Sequence, residues 1–329
     1  MKREYDYAPL DYDKIMEILE ENSEKVANIY DNGKFCVVFD ENGRKTPIHS
    51  VPYEKTNIGF EMEVYVDDID EIMQLKRGYH SGNRNVYRGG KEIFSVIERD
   101  GSLLSNGMEF ITKRHKACDK RFFHWFNVFR DVLEDYSPYI NDDCGGHIHV
   151  SGWDGGNEYE YVFGAFRAYE PMLIVMFGNG ENGIMRYSDY ADISPIIKIG
   201  RYGRTNINVI TSGHFELRFF DGETEPFNWF MREMVVDAIV HIGRCVKRAG
   251  IGRYVPPDAW YDTYYQLEEY NECNQEQYKR MVEEFILLLE ETHYPNAEII
   301  KSWIKGKFNE EDYYEYVNIK NYLTISMEV

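Results

Sequence analysis

Residues 58–66, Ile-Gly-Phe-Glu-Met-Glu-Val-Tyr-Val, constrain this chain more than any other stretch. Phe60, Met62, Val64 and Val66 alternate with Glu61, Glu63 and Tyr65, the period of two that a pleated strand imposes. Such a strand has one apolar face to bury, so it must lie in a sheet covered on one side. A plain surface strand would alternate in the same way. Here, however, two carboxylates two residues apart share a face, and like charges so close repel unless a cation or a basic group lies over both.

Further stretches bring ionisable groups to strand-like segments. Glu109 lies between Met108 and Phe110 after the turn Asp100-Gly-Ser, so it faces away from both apolar neighbours; the plain reading is a hairpin corner with an outward Glu. Gly145-Gly-His-Ile-His-Val150 puts His147 and His149 on one face, after glycines that let a ligand come close. Arg201 and Arg204 stand in a Gly-containing turn before a strand, placed either to ion-pair in an acidic protein or to fork onto phosphate or carboxylate. In His214-Phe-Glu-Leu-Arg-Phe-Phe220, Glu216 and Arg218 share a face, as a simple salt bridge would also require. If these faces belong to one sheet, its open side carries Glu61, Glu63, Glu109, Glu216 and His147 or His149, with Arg201, Arg204 and Arg218 at the edges. Carboxylates with an imidazole suit Mg²⁺ or Mn²⁺.

Between these segments the chain reads as helices at 9–30, 119–136, 158–177 and 227–248, a hairpin at 35–43, a Gly- and Arg-rich loop at 78–91, and acidic helices beyond 256 broken at His293-Tyr-Pro295. Strands are expected at 91–98, 106–112, 146–152, 205–210 and 214–220. Strands joined by hairpins with helices between them predict an α+β fold, a mostly antiparallel sheet with helices on one face.

Composition narrows the function classes. The 329 residues are 43% hydrophobic and 16% aromatic, enough for a large core. A net charge of −20 disfavours general nucleic-acid binding. Five Cys without a Cys-X-X-Cys pair, no membrane-length apolar run, and an opening MKREYDYAPLDYDK without a signal peptide's apolar middle lead us to expect a cytoplasmic protein. Neither a P-loop nor kinase-like His-Arg-Asp and Asp-Phe-Gly motifs occur.

In order, Glu61-X-Glu63, Asp100-Gly-Ser…Gly107-X-Glu109, Gly146-His-Ile-His-Val150, Arg204-X-Asn206 and Glu216-Leu-Arg218 resemble the amidoligase family, a branch of the carboxylate–amine ligases related to glutamine synthetase and glutamate–cysteine ligase. The resemblance spans about residues 57 to 250, and order carries its specificity rather than any one motif. It implies a curved, mostly antiparallel catalytic sheet with helices on the outer face. The catalytic domain would occupy 57–329, helical from about 251, after an N-terminal helix-plus-hairpin extension at 1–56.

The resemblance also implies ATP and Mg²⁺ (or Mn²⁺) as cofactors, with a carboxylate and an amine as substrates. Glu63 and Glu109 would hold one metal, and Glu61, His147 and Glu216 a second. His149 would face the nucleotide phosphates, while Arg204 and Arg218, and more weakly Arg201, would hold the transferring phosphate and the substrate carboxylate. The chain departs from the larger enzymes near Glu109, where they carry two Glu and this chain has Asp100 near the missing one. Two other readings fit the same residues: an inactive binding or structural protein on this fold, and a metal-dependent hydrolase or phosphotransferase.

Overall fold

The computed structural model describes residues 50–67, 72, 93–99, 103, 107–141, 143–153, 158–177, 207–248 and 272–317. The helix expected at 9–30, the hairpin at 35–43, the loop at 78–91, Asp100, Arg201 and Arg204 lie outside them.

Among the described residues seven strands form one sheet: β1 (Asn57–Tyr65), β2 (Phe94–Arg99), β3 (Gly107–Thr112), β4 (His115–Lys116), β5 (Gly145–Ser151), β6 (Ile207–Thr211) and β7 (His214–Asp221). Their order is β2-β3-β1-β5-β7-β6, with β4 on the end of β1, and every named pairing is antiparallel. The opening stretch is therefore the third strand in, paired along both edges.

The period of two sets the two faces. On β1, Ile58, Phe60, Met62 and Val64 are fully or almost fully buried, whereas Gly59, Glu61 and Glu63 are half-buried. Tyr65 departs from the pattern. It shares the carboxylate face but is 2% exposed, because Tyr139 stacks on its ring at 5.0 Å. That partner comes from a segment paired backbone to backbone with residue 65, which alternation within one strand does not reveal.

Helices cover the apolar face. In α1 (Lys120–Leu133), Phe122, Phe123, Phe126, Phe129 and Leu133 form the buried stripe, and the Asp119 side chain caps the first turn by accepting from the Phe122 amide at 2.9 Å. Beside it lie α2 (Glu158–Phe177) and α3 (Pro226–Arg248), which opens on a proline whose missing N–H costs a first turn nothing. Helix α3 is buried almost all round, between the sheet and the other helices.

Two of its buried carboxylates are fully matched. Asp237 accepts from the Tyr53 and Tyr294 hydroxyls and the Thr56 amide, and Glu233 from His115 and the Cys118 amide. Helices α4 (Glu272–Glu291), α5 (Ala297–Ile304) and α6 (Glu310–Val317) complete the outer layer, with the expected break between α4 and α5. Among the described residues no helix is long and apolar enough to cross a membrane.

Candidate active site

Register decides which polar side chains meet on the open face, because directly paired residues of neighbouring strands point the same way. Glu98, Glu109 and Glu63 pair in one row across β2, β3 and β1. One step along, Ile111, Glu61 and His147 form the next row across β3, β1 and β5. Then come Gly59, His149, Glu216 and Asn208 across β1, β5, β7 and β6. The last row aligns Asn57, Ser151 and His214. Four of these strands, β1, β3, β5 and β7, thus bring together the expected Glu61, Glu63, Glu109, His147, His149 and Glu216.

Glu61 is the hub. Its Oε2 accepts from Nδ1 of His147 at 2.8 Å and its Oε1 from Nε2 of His149 at 2.9 Å. Burial works to raise its pKa, but the hydrogen bonds and charges of the two imidazoles prevail and hold it well below the usual carboxylate range. Glu216, 2% exposed, accepts from Nη1 of Arg218 at 2.5 Å and from Nδ2 of Asn208 at 3.1 Å, with Nδ1 of His147 3.8 Å away. Here too burial pushes the pKa up, and Arg218, Asn208 and His147 together bring it below normal. Glu63 accepts from the Gly145 amide at 2.6 Å, which ties its carboxylate to the start of β5.

Among the described residues, two groups of donor atoms each lie within 4.8 Å of one another: Glu61, Glu109 and His147, and Glu61, His149 and Glu216. Ligands on opposite sides of a Mg²⁺-sized ion are about 4 Å apart, so either group is compact enough for one. Oxygen donors with a single imidazole suit Mg²⁺ or Mn²⁺. The residues therefore fit the ions that the resemblance implies, although the grouping differs from the expected one. Glu109 comes together with Glu61 and His147 here, and His149 with Glu61 and Glu216, because the two imidazoles of β5 take the two oxygens of Glu61 from either side.

Beside Glu61 and His149 opens a cleft of about 460 Å³, walled by Thr112, Arg114, Ser151 and His214 and floored partly by Gly59 and Gly213. Glycine matters at residue 59 for space: a Cβ there would meet nothing nearer than 3.7 Å, so its absence widens the cleft without being required by packing.

The sequence reading passed over Glu98, Asn208 and His214. Alternation could have found His214, two residues before Glu216 on one strand. Glu98 and Asn208 owe their place to strand pairing, which local sequence does not state.

No protein-family model matches the chain, and no curated protein sequence matches it. Among solved structures, the chain is similar to GmaS in its apo form without ligand, at 13% identity over 80% of this chain and 69% of that one, with a TM-score of 0.44. It is also similar to a GmaS/ADP complex, at 13% identity over 92% of this chain and 73% of that one, again with a TM-score of 0.44. These values describe a distant likeness, and the reading of the site rests on its own geometry.

Proposed function

We propose that this chain is an ATP-dependent carboxylate–amine ligase that forms an amide through an acyl phosphate. The observation that carries this reading is the division of the Glu61 carboxylate between His147 and His149, with Glu216 and Arg218 on the neighbouring strand. A site of this kind suits phosphoryl transfer: oxygen donors for divalent ions that neutralise phosphate charge, and a guanidinium beside them.

In this reading Glu61, Glu63, Glu109, His147 and Glu216 hold the ions, and His149 faces the nucleotide phosphates in the adjoining cleft. Arg218, with Arg204 and Arg201, holds the substrate carboxylate and the phosphoryl group in line. The carboxylate oxygen attacks the γ-phosphorus and ADP departs. The amine then attacks the acyl carbon, the C–O bond to phosphate breaks, and the amine's proton leaves to a base. Phosphorylation is needed because a carboxylate oxygen is a poor leaving group, and no protein nucleophile is required. The bound divalent ions would supply charge neutralisation on the phosphates.

The test is ADP formation from ATP and Mg²⁺ or Mn²⁺ over panels of acids and amines. ADP release that requires both an acid and an amine, with amide as product, supports the reading. Its loss in Glu61→Gln and Glu216→Gln, with circular dichroism unchanged, assigns the step to this site. Full activity in both variants overturns the assignment, and ADP formed with a phosphorylated product but no amide marks a phosphotransferase instead.

A further inference from the structure

We infer that His214 is a positioning residue, which fixes the His149 imidazole against Glu61; the inference deepens the ligase reading and rests on it for its catalytic meaning. Nε2 of His149 lies 2.9 Å from Oε1 of Glu61, and Nδ1 of His149 lies 2.9 Å from Nε2 of His214. Both nitrogens of one ring are therefore engaged, on opposite sides. A ring held at both ends cannot turn over about its Cβ–Cγ bond without losing two hydrogen bonds at once.

The partner's identity matters. A carboxylate only accepts, so the hydrogen that faces Glu61 is on Nε2 of His149, and in the neutral ring Nδ1 is then the acceptor for the Nε2–H of His214. Imidazoles that serve at ion sites are commonly oriented by a carboxylate or a backbone carbonyl on the far nitrogen. Here the orienting group is a second imidazole. In a face already carrying Glu61, Glu63, Glu98, Glu109 and Glu216, it orients His149 without adding negative charge where phosphates are to be held.

Strand geometry makes the contact reproducible. His214 opens β7, pairs in register with Ser151, and lies on the same face as Glu216 two residues later. Its ring centroid is 5.1 Å from that of His149. His214 lines the cleft together with His149 and occupies the hydrogen-bonding position at its Nδ1. Without it that nitrogen meets water, and the ring is free to invert. Oε1 of Glu61 then loses its partner while Oε2 keeps His147.

The experiment uses the full chain labelled with ¹⁵N in its histidine rings, at one fixed pH near neutrality, as wild type, His214→Phe and His214→Gln. Phenylalanine keeps the ring volume and removes the nitrogens, whereas glutamine retains an amide that donates toward Nδ1. The ion-free wild type is expected to show His149 as a single tautomer protonated at Nε2, with a scalar coupling across the bond to His214. In His214→Phe, His149 becomes a mixture of tautomers. His214→Gln restores most of the single tautomer, and thermal unfolding midpoints show that all three chains are folded. A mixture of tautomers already in wild type, or a single fixed tautomer in His214→Phe, overturns the inference. Absence of ATP-dependent amide formation by wild type would defeat the ligase reading alone, since the ring measurement is made without turnover.

Discussion

Phe60 lies flat on Trp229, with ring centroids 4.1 Å apart and planes 10° from parallel, one residue before the carboxylate shared by the two imidazoles. Glu61 thus projects from a strand whose underside is clamped to α3. Gly146, in the next strand, leaves room for the same indole, because a Cβ there would come within 2.9 Å of it and 2.8 Å of the Asp221 carbonyl. Trp229→Ala should lower stability by about 3–5 kcal/mol. Urea unfolding would check this, and an unchanged midpoint would remove the clamp from the account.

Glu284 predicts a pH dependence. It is 1% exposed in α4, and neither of its carboxylate oxygens has a hydrogen-bond partner among the described residues. Burial pushes its pKa up to about 8 from an ordinary 4.5. Between those values the folded chain binds the proton more tightly than the unfolded chain. The stability from this group is therefore fully present below the unfolded pKa and declines as pH rises toward 8, by on the order of a few kcal/mol. Glu284→Leu should flatten that slope and raise the melting temperature at pH 8. A slope equal to wild type would show that the carboxyl is not the titrating group.

The open cleft makes a prediction at Gly59. A Cβ at residue 59 would sit in ordinary contact with Thr112, 3.7 Å from its Oγ1, so Gly59→Val should still fold, since a branched side chain favours a strand. It should also narrow the space beside His149 and raise the KM for ATP by about tenfold or more, a loss of at least about 1.4 kcal/mol of binding. An unchanged KM would place the nucleotide elsewhere.

The row Glu98–Glu109–Glu63 separates two degrees of involvement. Glu109 shares a compact donor group with Glu61 and His147, whereas Glu98 joins the row only through register. Mn²⁺ titration should find a loss of about 10-fold or more in Glu109→Gln, the range typical for disturbing an ion's supporting residues, and a smaller loss in Glu98→Gln. The reverse order would make Glu98 the closer donor.

Much of the layout was legible locally. Period-two alternation located β1, β3, β5 and β7 to within a residue or two, and apolar stripes located α1, α2 and α3, because each pattern is a property of one element's own face. The same alternation placed Glu61, Glu63, His147, His149 and Glu216 on polar faces. It misjudged Tyr65, which Tyr139, Leu103 and Cys144 cover, and Phe220, which a register shift between β5 and β7 turns to the buried face.

By itself, then, the sequence determined which side chains point away from the core, since that depends only on spacing along one strand. Which of them meet was decided by the tertiary structure. Pairing β1 between β3 and β5 set Glu61 against His147, and pairing β5 with β7 brought His214 to the far nitrogen of His149. Contacts of 2.8–2.9 Å between residues more than sixty positions apart arise from strand order and register, which no local pattern encodes.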